Sequence, residues 1–299
     1  MEEKFYQNPL LEGADPYSLL HDNTYYLYST NDRDNGFRVF SSPDCVSWVE
    51  RGHCLRKEDV MGEFNFWAPE VICRNGVFYM VYVSEEHLGV ATATSPLGPF
   101  RQSEKSWLFD FKAIDGHFFT DDDGVTYLYF VRFDHGNVIW CAKMNDDLLS
   151  CDVSTLTFLL RAEEEWELRQ SHIAEGPFVL KHKGLYYLTY SANHTKSPNY
   201  AVGYAVSESP FGPFRRADEN PILCRTASVA GTGHHSFTTT LDGKDLLCVY
   251  HAHSRTEGDP YPRMTCVDRA AFVEDPCGID RLRIYGPTNT PQPIPQNQQ

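Results

Sequence analysis

The feature of this sequence that most constrains its fold is a strand-like segment that recurs five times along the chain. Each copy is rich in aromatic and β-branched residues, a composition that favours β-strands. The copies lie at residues 25–28, 78–82, 127–130, 186–190 and 246–250. Each follows a short turn sequence, such as Asn75-Gly76 or Asp123-Gly124, that is typical of a β-hairpin. The pattern indicates five similar units of about 55 residues each.

Another short predicted strand precedes each of these turns and opens with a polar residue. The five opening residues are Asp15, Glu70, Asp115, Glu175 and His234. Five units of several short strands, without helical periodicity, predict an all-β fold, a five-bladed β-propeller. We expect a single domain over residues 1–299, with an irregular tail at 286–299 that is rich in Pro and Gln. A two-sheet sandwich is the alternative, but it would not explain five equivalent opening residues.

The opening residues are functional candidates because the first strand of each propeller blade lines the central channel. Asp15, Asp115 and Glu175 would then meet around one axis, with Glu70 and His234 nearby. Clustered carboxylates repel each other, which drives their pKa values apart and lets one site hold both an acid and a base. Apolar residues after Glu175 are expected to raise its pKa. The alternative is that each carboxylate only begins a turn, as Asp-Pro and Asp-Gly pairs often do.

Two carboxylates that act as acid and base on opposite sides of a bond are typical of glycoside hydrolysis. Aromatic residues suit that chemistry because sugar rings present apolar faces. Trp67 and the adjacent Phe66 lie just before Glu70, and we expect them to contact a sugar at the channel mouth. The alternative for Trp67 is ordinary packing between blades.

One short motif lies at the opening of each unit. The motifs are Gly13-Ala14-Asp15-Pro16, Trp67-Ala68-Pro69-Glu70, Ile114-Asp115-Gly116-His117, Glu175-Gly176-Pro177 and Gly231-Thr232-Gly233-His234-His235-Ser236. In this order they resemble glycoside hydrolase family 43, and the match runs from Asn8 to Thr288. That family includes α-L-arabinofuranosidases, β-xylosidases and arabinanases. The resemblance implies a five-bladed propeller that hydrolyses its substrate with inversion.

The resemblance also implies a role for each of the three carboxylates. Asp15 matches the general base, which activates a water molecule. Glu175 matches the general acid, which protonates the leaving oxygen. Asp115 matches the third carboxylate, which tunes the pKa of the acid and holds it in position.

Three further residues receive roles from the same resemblance. His234 matches a histidine near a central ion, often calcium, that is held largely through water molecules; no organic cofactor is expected. Arg263 resembles the arginine that binds the sugar at the cleavage site, and a salt bridge to a carboxylate is its alternative role. His235 is a further candidate substrate contact.

These observations lead to a functional expectation with two rivals. We expect an exo-acting glycosidase that releases L-arabinofuranose, D-xylose or both from oligosaccharides derived from plant polysaccharides. An endo-1,5-α-L-arabinanase is the alternative within the enzyme class. A non-catalytic carbohydrate-binding propeller is the alternative from another class, while a protein-interaction scaffold would have no need of a charged channel.

Composition and charge exclude other classes of function. The chain has 26 basic and 41 acidic residues and a net charge of −15, so it should repel nucleic acid. No apolar run approaches the roughly 18 residues that a membrane span needs. The N-terminus lacks a basic region followed by an apolar stretch, so we expect a cytoplasmic protein. The nine cysteines form no close metal-type pairs and are expected to be free thiols in a reducing compartment.

Overall fold

The computed structural model describes residues 4–276 and 278–295 and is built almost entirely from β-strands. One short 3₁₀-helix, Lys57–Asp59, is the exception among these residues. Five sheets stand side by side around a central axis and form a five-bladed propeller, which confirms the predicted fold. Within the described ranges, no helix is long and apolar enough to cross a membrane.

The strands follow the blades in chain order, after two short strands that close the ring, β1 (Phe5–Tyr6) and β2 (Leu11–Glu12). Blade I contains β3 (Ala14–His21), β4 (Thr24–Thr30), β5 (Gly36–Ser42) and β6 (Val49–Arg56). Blade II contains β7 (Trp67–Arg74), β8 (Val77–Ser84) and β9 (His87–Ala93). Blade III contains β10 (Ala113–Thr120), β11 (Thr126–Phe133), β12 (Asn137–Met144) and β13 (Cys151–Arg161).

Blades IV and V complete the ring. Blade IV contains β14 (Ala174–His182), β15 (Leu185–Ala192), β16 (Ala201–Ser207) and β17 (Arg215–Arg216). Blade V contains β18 (Gly233–Thr239), β19 (Leu246–His253) and β20 (Arg263–Val273), and both β2 and β21 (Arg281–Ile284) pair with β20. A separate pair joins β1 to β22 (Gln292–Pro293).

The innermost strand of every blade carries a β-bulge near its start, where two of its residues face one residue of the neighbouring strand. The first residue of each bulge has a left-handed backbone; these residues are Asp15, Ala68, Asp115, Gly176 and His234, with φ angles of 50°, 43°, 55°, 56° and 43°. A bulge bends its strand and re-aims the side chains beside it. The three residues Asp15, Asp115 and His234 therefore occupy equivalent positions in three blades.

The bulges correct the sequence reasoning about register, because the five opening residues are not all equivalent. Glu175 lies one residue before the left-handed position of its blade, and Glu70 lies two residues after it. Trp67 holds in blade II the position that Glu175 holds in blade IV. Each bulge inserts one extra residue into its strand. The two-residue periodicity of a regular strand therefore could not show which residues of the five motifs are equivalent.

Buried aromatic and branched side chains fill the spaces between blades. A large cluster joins blades II, III and IV and includes Val81, Phe130 and Leu188. Another cluster joins blades I and II and includes Phe37 and Tyr82. Packing of this kind fixes the inner strands relative to one another, and with them the residues at the channel.

The two ends of the described chain meet at blade V. Strand β2 pairs with β20, and Asn8 donates its side-chain amide to the carbonyl oxygen of Val267 at 2.9 Å. Buried Asp268 accepts hydrogen bonds from the Tyr250 hydroxyl at 2.7 Å and from the Thr288 amide at 3.0 Å. The tail expected to be irregular thus contains the short strand β22, and its residues 296–299 lie outside the described part.

The cysteines of the described residues are free thiols, as predicted. Those that are buried are Cys45, Cys54, Cys141, Cys248 and Cys266, whereas Cys73 and Cys151 are partly buried and Cys224 is exposed. Cys277, for which a free thiol was also expected, lies outside the described residues.

Candidate active site

The three predicted catalytic carboxylates are brought together by blades I, III and IV. Asp15, Asp115 and Glu175 are only 6%, 7% and 8% exposed. Asp115 Oδ2 accepts a hydrogen bond from the amide of Gly176 at 3.0 Å, which links it to the strand that carries Glu175. His234 Nδ1 lies 3.3 Å from Asp15 Oδ1 and 4.0 Å from Asp115 Oδ2. The structure therefore joins these four predicted residues in one buried cluster.

Asp15 is surrounded by groups that stabilise its charged form. Its carboxylate accepts hydrogen bonds from Arg263 Nη1 at 2.7 Å and from the Thr30 hydroxyl at 2.7 Å. Its backbone amide donates to His251 Nδ1 at 3.2 Å. Burial alone would raise the pKa of Asp15, but Arg263 and then His234 outweigh burial and hold that pKa well below its usual range. Asp15 is therefore an ionised carboxylate that can accept a proton.

Glu175 lies in the opposite electrostatic environment. Burial, followed by the charge of Asp115, raises its pKa from 4.5 to about 7. The hydroxyl of Tyr200 donates to Oε1 at 2.9 Å, and the side-chain amide of Asn137 donates to Oε2 at 2.7 Å. Near neutral pH, Glu175 can therefore carry the proton that a general acid must donate.

Asp115 is linked to Glu175 both through its charge and through a hydrogen bond to the next residue of the same strand. Burial raises its pKa, and the charge of Asp15 adds to that effect although His234 opposes it. Its negative charge raises the pKa of Glu175, while its hydrogen bond to Gly176 holds the acid's strand in place. Both effects act on Glu175 and its strand, and the role of Asp115 as the third carboxylate stays a prediction.

His234 is oriented by carboxylates. Burial would lower its pKa, but Asp15 and then Asp115 and Glu175 outweigh burial and raise it. Within the described ranges, no group of three or more His, Cys, Asp or Glu residues is arranged to hold a metal ion. An ion held mostly by water would not need such a group, and calcium itself prefers oxygen ligands. Calcium near His234 stays a prediction.

Arg263 and Trp67 were predicted to contact a sugar, and the contacts that the structure gives them are with protein. Arg263 forms the salt bridge to Asp15 that was its alternative role, and its Nη1 also donates to the Thr195 hydroxyl at 3.1 Å. Trp67 is partly exposed, and the guanidinium of Arg33 lies 5.3 Å from the centre of its ring. Contact of Arg263 and Trp67 with substrate stays a prediction.

Two predicted substrate contacts, Phe66 and His235, are wrong because both side chains are buried against other protein groups. Phe66 has no exposed surface and stacks on Tyr82, with ring centres 6.1 Å apart, inside the cluster between blades I and II. His235 is 2% exposed, and its Nε2 lies 2.6 Å from the Thr189 hydroxyl. Their sequence neighbours are more exposed: Trp67 follows Phe66, and His234 precedes His235.

Sequence reasoning missed the residues that hold the carboxylates. Thr30, Asn137, Tyr200 and His251 all lie outside the five motifs, on second strands, third strands or loops. The hydroxyl oxygen of Thr30 also accepts a hydrogen bond from the backbone amide of Ala68 at 2.9 Å and so links blades I and II beside Asp15. No sequence signal marks these residues, because their contacts form between blades that are distant in the chain.

Glu70 and His117 form a further side-chain pair between the innermost strands of blades II and III, with side chains 13% and 3% exposed. His117 Nδ1 lies 2.8 Å from Glu70 Oε2, while its Nε2 accepts the amide of Val179 at 3.0 Å. Since Nε2 accepts, the ring hydrogen of a neutral His117 must lie on Nδ1 and point to Glu70. Burial is the main cause that raises the pKa of Glu70, which the histidine opposes. Together with Val179, the pair links the innermost strands of blades II, III and IV.

Comparison with known proteins agrees with this geometry. The model of the family described as glycosyl hydrolases family 43 matches residues 6–277. A solved structure described as an endo-1,4-β-xylanase from Bacteroides thetaiotaomicron is 41% identical, with a TM-score of 0.89, and the match covers 96% of this chain and 98% of that one. A β-D-galactofuranosidase from Aspergillus niger is 30% identical over 89% of this chain and 82% of its own length.

A further relative is described as an arabinoxylan arabinofuranohydrolase from Paenibacillus polymyxa. It is 26% identical over 83% of this chain, which corresponds to 46% of the relative's length. The family match spans nearly the whole chain and includes the blades that supply the three carboxylates. The chain is therefore a glycoside hydrolase that belongs to glycosyl hydrolase family 43.

Proposed function

We propose that this protein is an exo-acting, inverting glycosidase that releases L-arabinofuranose or D-xylose from oligosaccharides of hemicellulose. The observation that carries the proposal is the electrostatic contrast between Asp15 and Glu175. One buried site holds a carboxylate with a strongly lowered pKa and a carboxyl group with a pKa of about 7. Around neutral pH the first is a base and the second an acid, as inverting hydrolysis requires.

The reaction follows from these two protonation states. Glu175 gives its proton to the glycosidic oxygen as the bond from that oxygen to the anomeric carbon breaks. A water molecule attacks the same carbon from the opposite face and gives a proton to Asp15. The leaving group departs as an alcohol, and the new sugar hydroxyl has the inverted configuration. Arg263 and His234 hold Asp15 in its charged form until the water molecule is deprotonated.

The burial of the site favours exo action. The three catalytic residues are each less than a tenth exposed, so a sugar must enter the channel to reach them. A chain end enters such a well more easily than the middle of a polymer does. The arabinofuranohydrolase and galactofuranosidase names of two relatives support a terminal furanose as one substrate.

Endo action is the second candidate, because the 41% identical structure is described as an endo-1,4-β-xylanase. The two modes differ in their products from linear β-1,4-xylo-oligosaccharides and α-1,5-arabino-oligosaccharides. We expect only monosaccharide to accumulate early in the reaction. A ladder of shorter oligomers at the same stage would contradict exo action and favour an endo-xylanase or an endo-arabinanase.

The hydrolase activity itself is tested with 4-nitrophenyl glycosides of L-arabinofuranose, D-xylose and D-galactofuranose. We expect the wild type to hydrolyse at least one, and Glu175→Gln to lower kcat by about 100- to 10,000-fold because the acid is lost. Glu165→Gln, at an exposed glutamate, is the control and should be fully active.

The same assay separates the remaining alternatives. Binding of a sugar by the wild type without turnover of any glycoside would contradict the proposal and favour the non-catalytic propeller. A parallel series with a chelator tests the predicted calcium ion, since loss of activity that added calcium restores would support it.

A further inference from the structure

The acid Glu175 is held at both carboxyl oxygens by groups that the family motifs do not include. Tyr200 lies in the segment between β15 and β16 and is fully buried, and its hydroxyl donates to Oε1 at 2.9 Å. Asn137, at the start of β12 in the neighbouring blade, donates to Oε2 at 2.7 Å. The carboxyl group is therefore fixed from two sides by neutral hydrogen-bond donors.

We propose that Tyr200 is a positioning residue for proton donation: its hydroxyl holds the carboxyl group of Glu175 towards the leaving oxygen and stabilises the carboxylate that remains after the proton has left. This inference rests on the proposed role of Glu175 as the general acid. It assigns to Tyr200 a role in the reaction although the tyrosine need not touch the substrate.

The ring of Tyr200 has little freedom to move. It stacks on His251, with ring centres 5.6 Å apart and planes inclined by only 9°. On another side it lies against Gly233, where a Cβ atom would come within 2.3 Å of the ring. A larger residue at position 233 would therefore displace the tyrosine. Its hydroxyl is thus held in place by the packing of blades IV and V.

The same stack reaches the base. His251 Nδ1 accepts the backbone amide of Asp15, so the histidine contacts the base's strand while its ring supports Tyr200. Burial lowers the pKa of His251 to about 3, which keeps it a neutral spacer. One rigid pair of rings therefore connects the acid of blade IV with the base of blade I.

The hydrogen bonds of Glu175 indicate which of its two carboxyl oxygens carries the proton that is transferred. The side-chain amide nitrogen of Asn137 can only donate, so it is best matched by the carbonyl oxygen of the neutral acid, which is Oε2. The acidic hydrogen then lies on Oε1, beside a tyrosine hydroxyl that can either accept or donate. When the hydrogen moves to the glycosidic oxygen, Oε1 becomes a charged acceptor, and the hydroxyl of Tyr200 donates to it.

The test compares leaving groups of different acidity in Tyr200→Phe, which keeps the ring and loses only the hydroxyl. A 2,4-dinitrophenolate departs without a proton, whereas a sugar must be protonated as it leaves. With the disaccharide that the wild type cleaves, we expect kcat to fall at least about tenfold. With the 2,4-dinitrophenyl glycoside of the same sugar, we expect a change of less than about twofold.

Two further variants make the result decisive. Tyr250→Phe is the control, because it also removes a buried hydroxyl that donates to a carboxylate, but this carboxylate is Asp268, outside the site. Any change in kcat should be the same for the two substrates. Gly233→Ala displaces the ring of Tyr200 without removing its hydroxyl, and it should also lower kcat for the disaccharide more than for the 2,4-dinitrophenyl glycoside. If Tyr200→Phe does not fold, Gly233→Ala serves as the test variant in its place.

The outcomes are distinguishable. An equal loss with both leaving groups, or no loss with either, in an active background would overturn the role of Tyr200 and leave the proposed function standing. A wild type that hydrolyses neither substrate would overturn the proposed function together with this inference.

Discussion

At the scale of single residues, the site shows how the same functional group acquires opposite roles from its neighbours. Asp15 and Glu175 are both buried carboxyl groups, and burial by itself raises the pKa of each. The difference comes from the cations around Asp15, which Glu175 lacks as direct partners among the described residues. Glu175 instead has neutral donors and the negative charge of Asp115.

This contrast predicts the pH dependence. Activity requires Asp15 charged and Glu175 protonated, so kcat/KM should be bell-shaped and should fall as the pH rises through about 7. In Asp115→Asn the charge that raises the pKa of Glu175 is removed, while a side-chain oxygen remains for the amide of Gly176. The alkaline limb should therefore move to lower pH by about one unit.

The measurement is kcat/KM for an aryl glycoside between pH 4 and 9, with the exposed Asp122→Asn as control. A limb that stays in place in Asp115→Asn, or moves to higher pH, would show that Asp115 does not tune the acid. A wild-type rate that is flat over the whole range would contradict the acid–base pair itself.

At the scale of elements, the bulge of β10 brings the innermost strand of blade III into close contact with blade II. Gly116 follows Asp115 in the bulge of β10, and a Cβ atom there would lie 2.6 Å from a methyl group of Val81 in blade II. Valine is stiff at its first side-chain torsion and is fully buried here, so it cannot easily yield. The strand and its catalytic aspartate would have to move instead.

Gly116→Ala should therefore destabilise the protein by about 1–3 kcal/mol and lower its activity. Denaturant unfolding together with an aryl glycoside assay checks both effects. Gly124→Ala is the matched control, because its site in a hairpin has open space and a φ angle of +83°. Backbone strain there should cost about 1 kcal/mol without affecting activity. Equal activities of the two variants would show that the approach of blades II and III does not position Asp115.

The elements also show what sequence reasoning could reach. Repeated strand composition and Asn-Gly or Asp-Gly turns were enough to predict five blades, because they depend on local preferences that every unit shares. The three carboxylates could be found because each lies in a motif at the start of a blade. Tyr200 and Asn137 could not be found in this way, because their contacts with Glu175 join residues that are distant in the sequence and no local pattern marks them. Phe66 and His235 were misassigned because Phe66 lies just before β7 and His235 is the second residue of the bulge in β18, so the alternation of a regular strand does not show which way either side chain points.

At the scale of the whole molecule, stability depends on how the ring is closed at blade V. Asn8 is central to this closure: its amide donates to the carbonyl of Val267 at 2.9 Å, and its Oδ1 accepts the amide of Val267 at 3.0 Å. It is 4% exposed, so water cannot readily replace either bond. Each inter-blade contact relies on a complete ring, and loosening of one joint should weaken all blades together.

Asn8→Ala should lower the free energy of unfolding by about 1–3 kcal/mol, because it leaves the buried backbone amide of Val267 without its partner, while the carbonyl oxygen keeps its hydrogen bond from the Tyr6 hydroxyl at 2.9 Å. Circular dichroism during urea unfolding measures this change, and one cooperative transition is expected. Gln7→Ala is the control, since its side chain is exposed and donates to the carbonyl of Asn289. Similar unfolding midpoints for the two variants would mean that the ring is closed mainly by strand pairing.

The repeated left-handed bulge has a consequence for how such a molecule can change. Five backbone positions of one shape surround the axis, and the chemistry depends on which side chain each of them carries. Blade II has only a methyl group there, on Ala68, while aspartate and histidine already adopt the same conformation in blades I, III and V. The five bulges are thus equivalent backbone positions that accept different side chains. A reactive side chain could be introduced by substitution of Ala68, because the backbone there already has the conformation that aspartate and histidine adopt in the other blades.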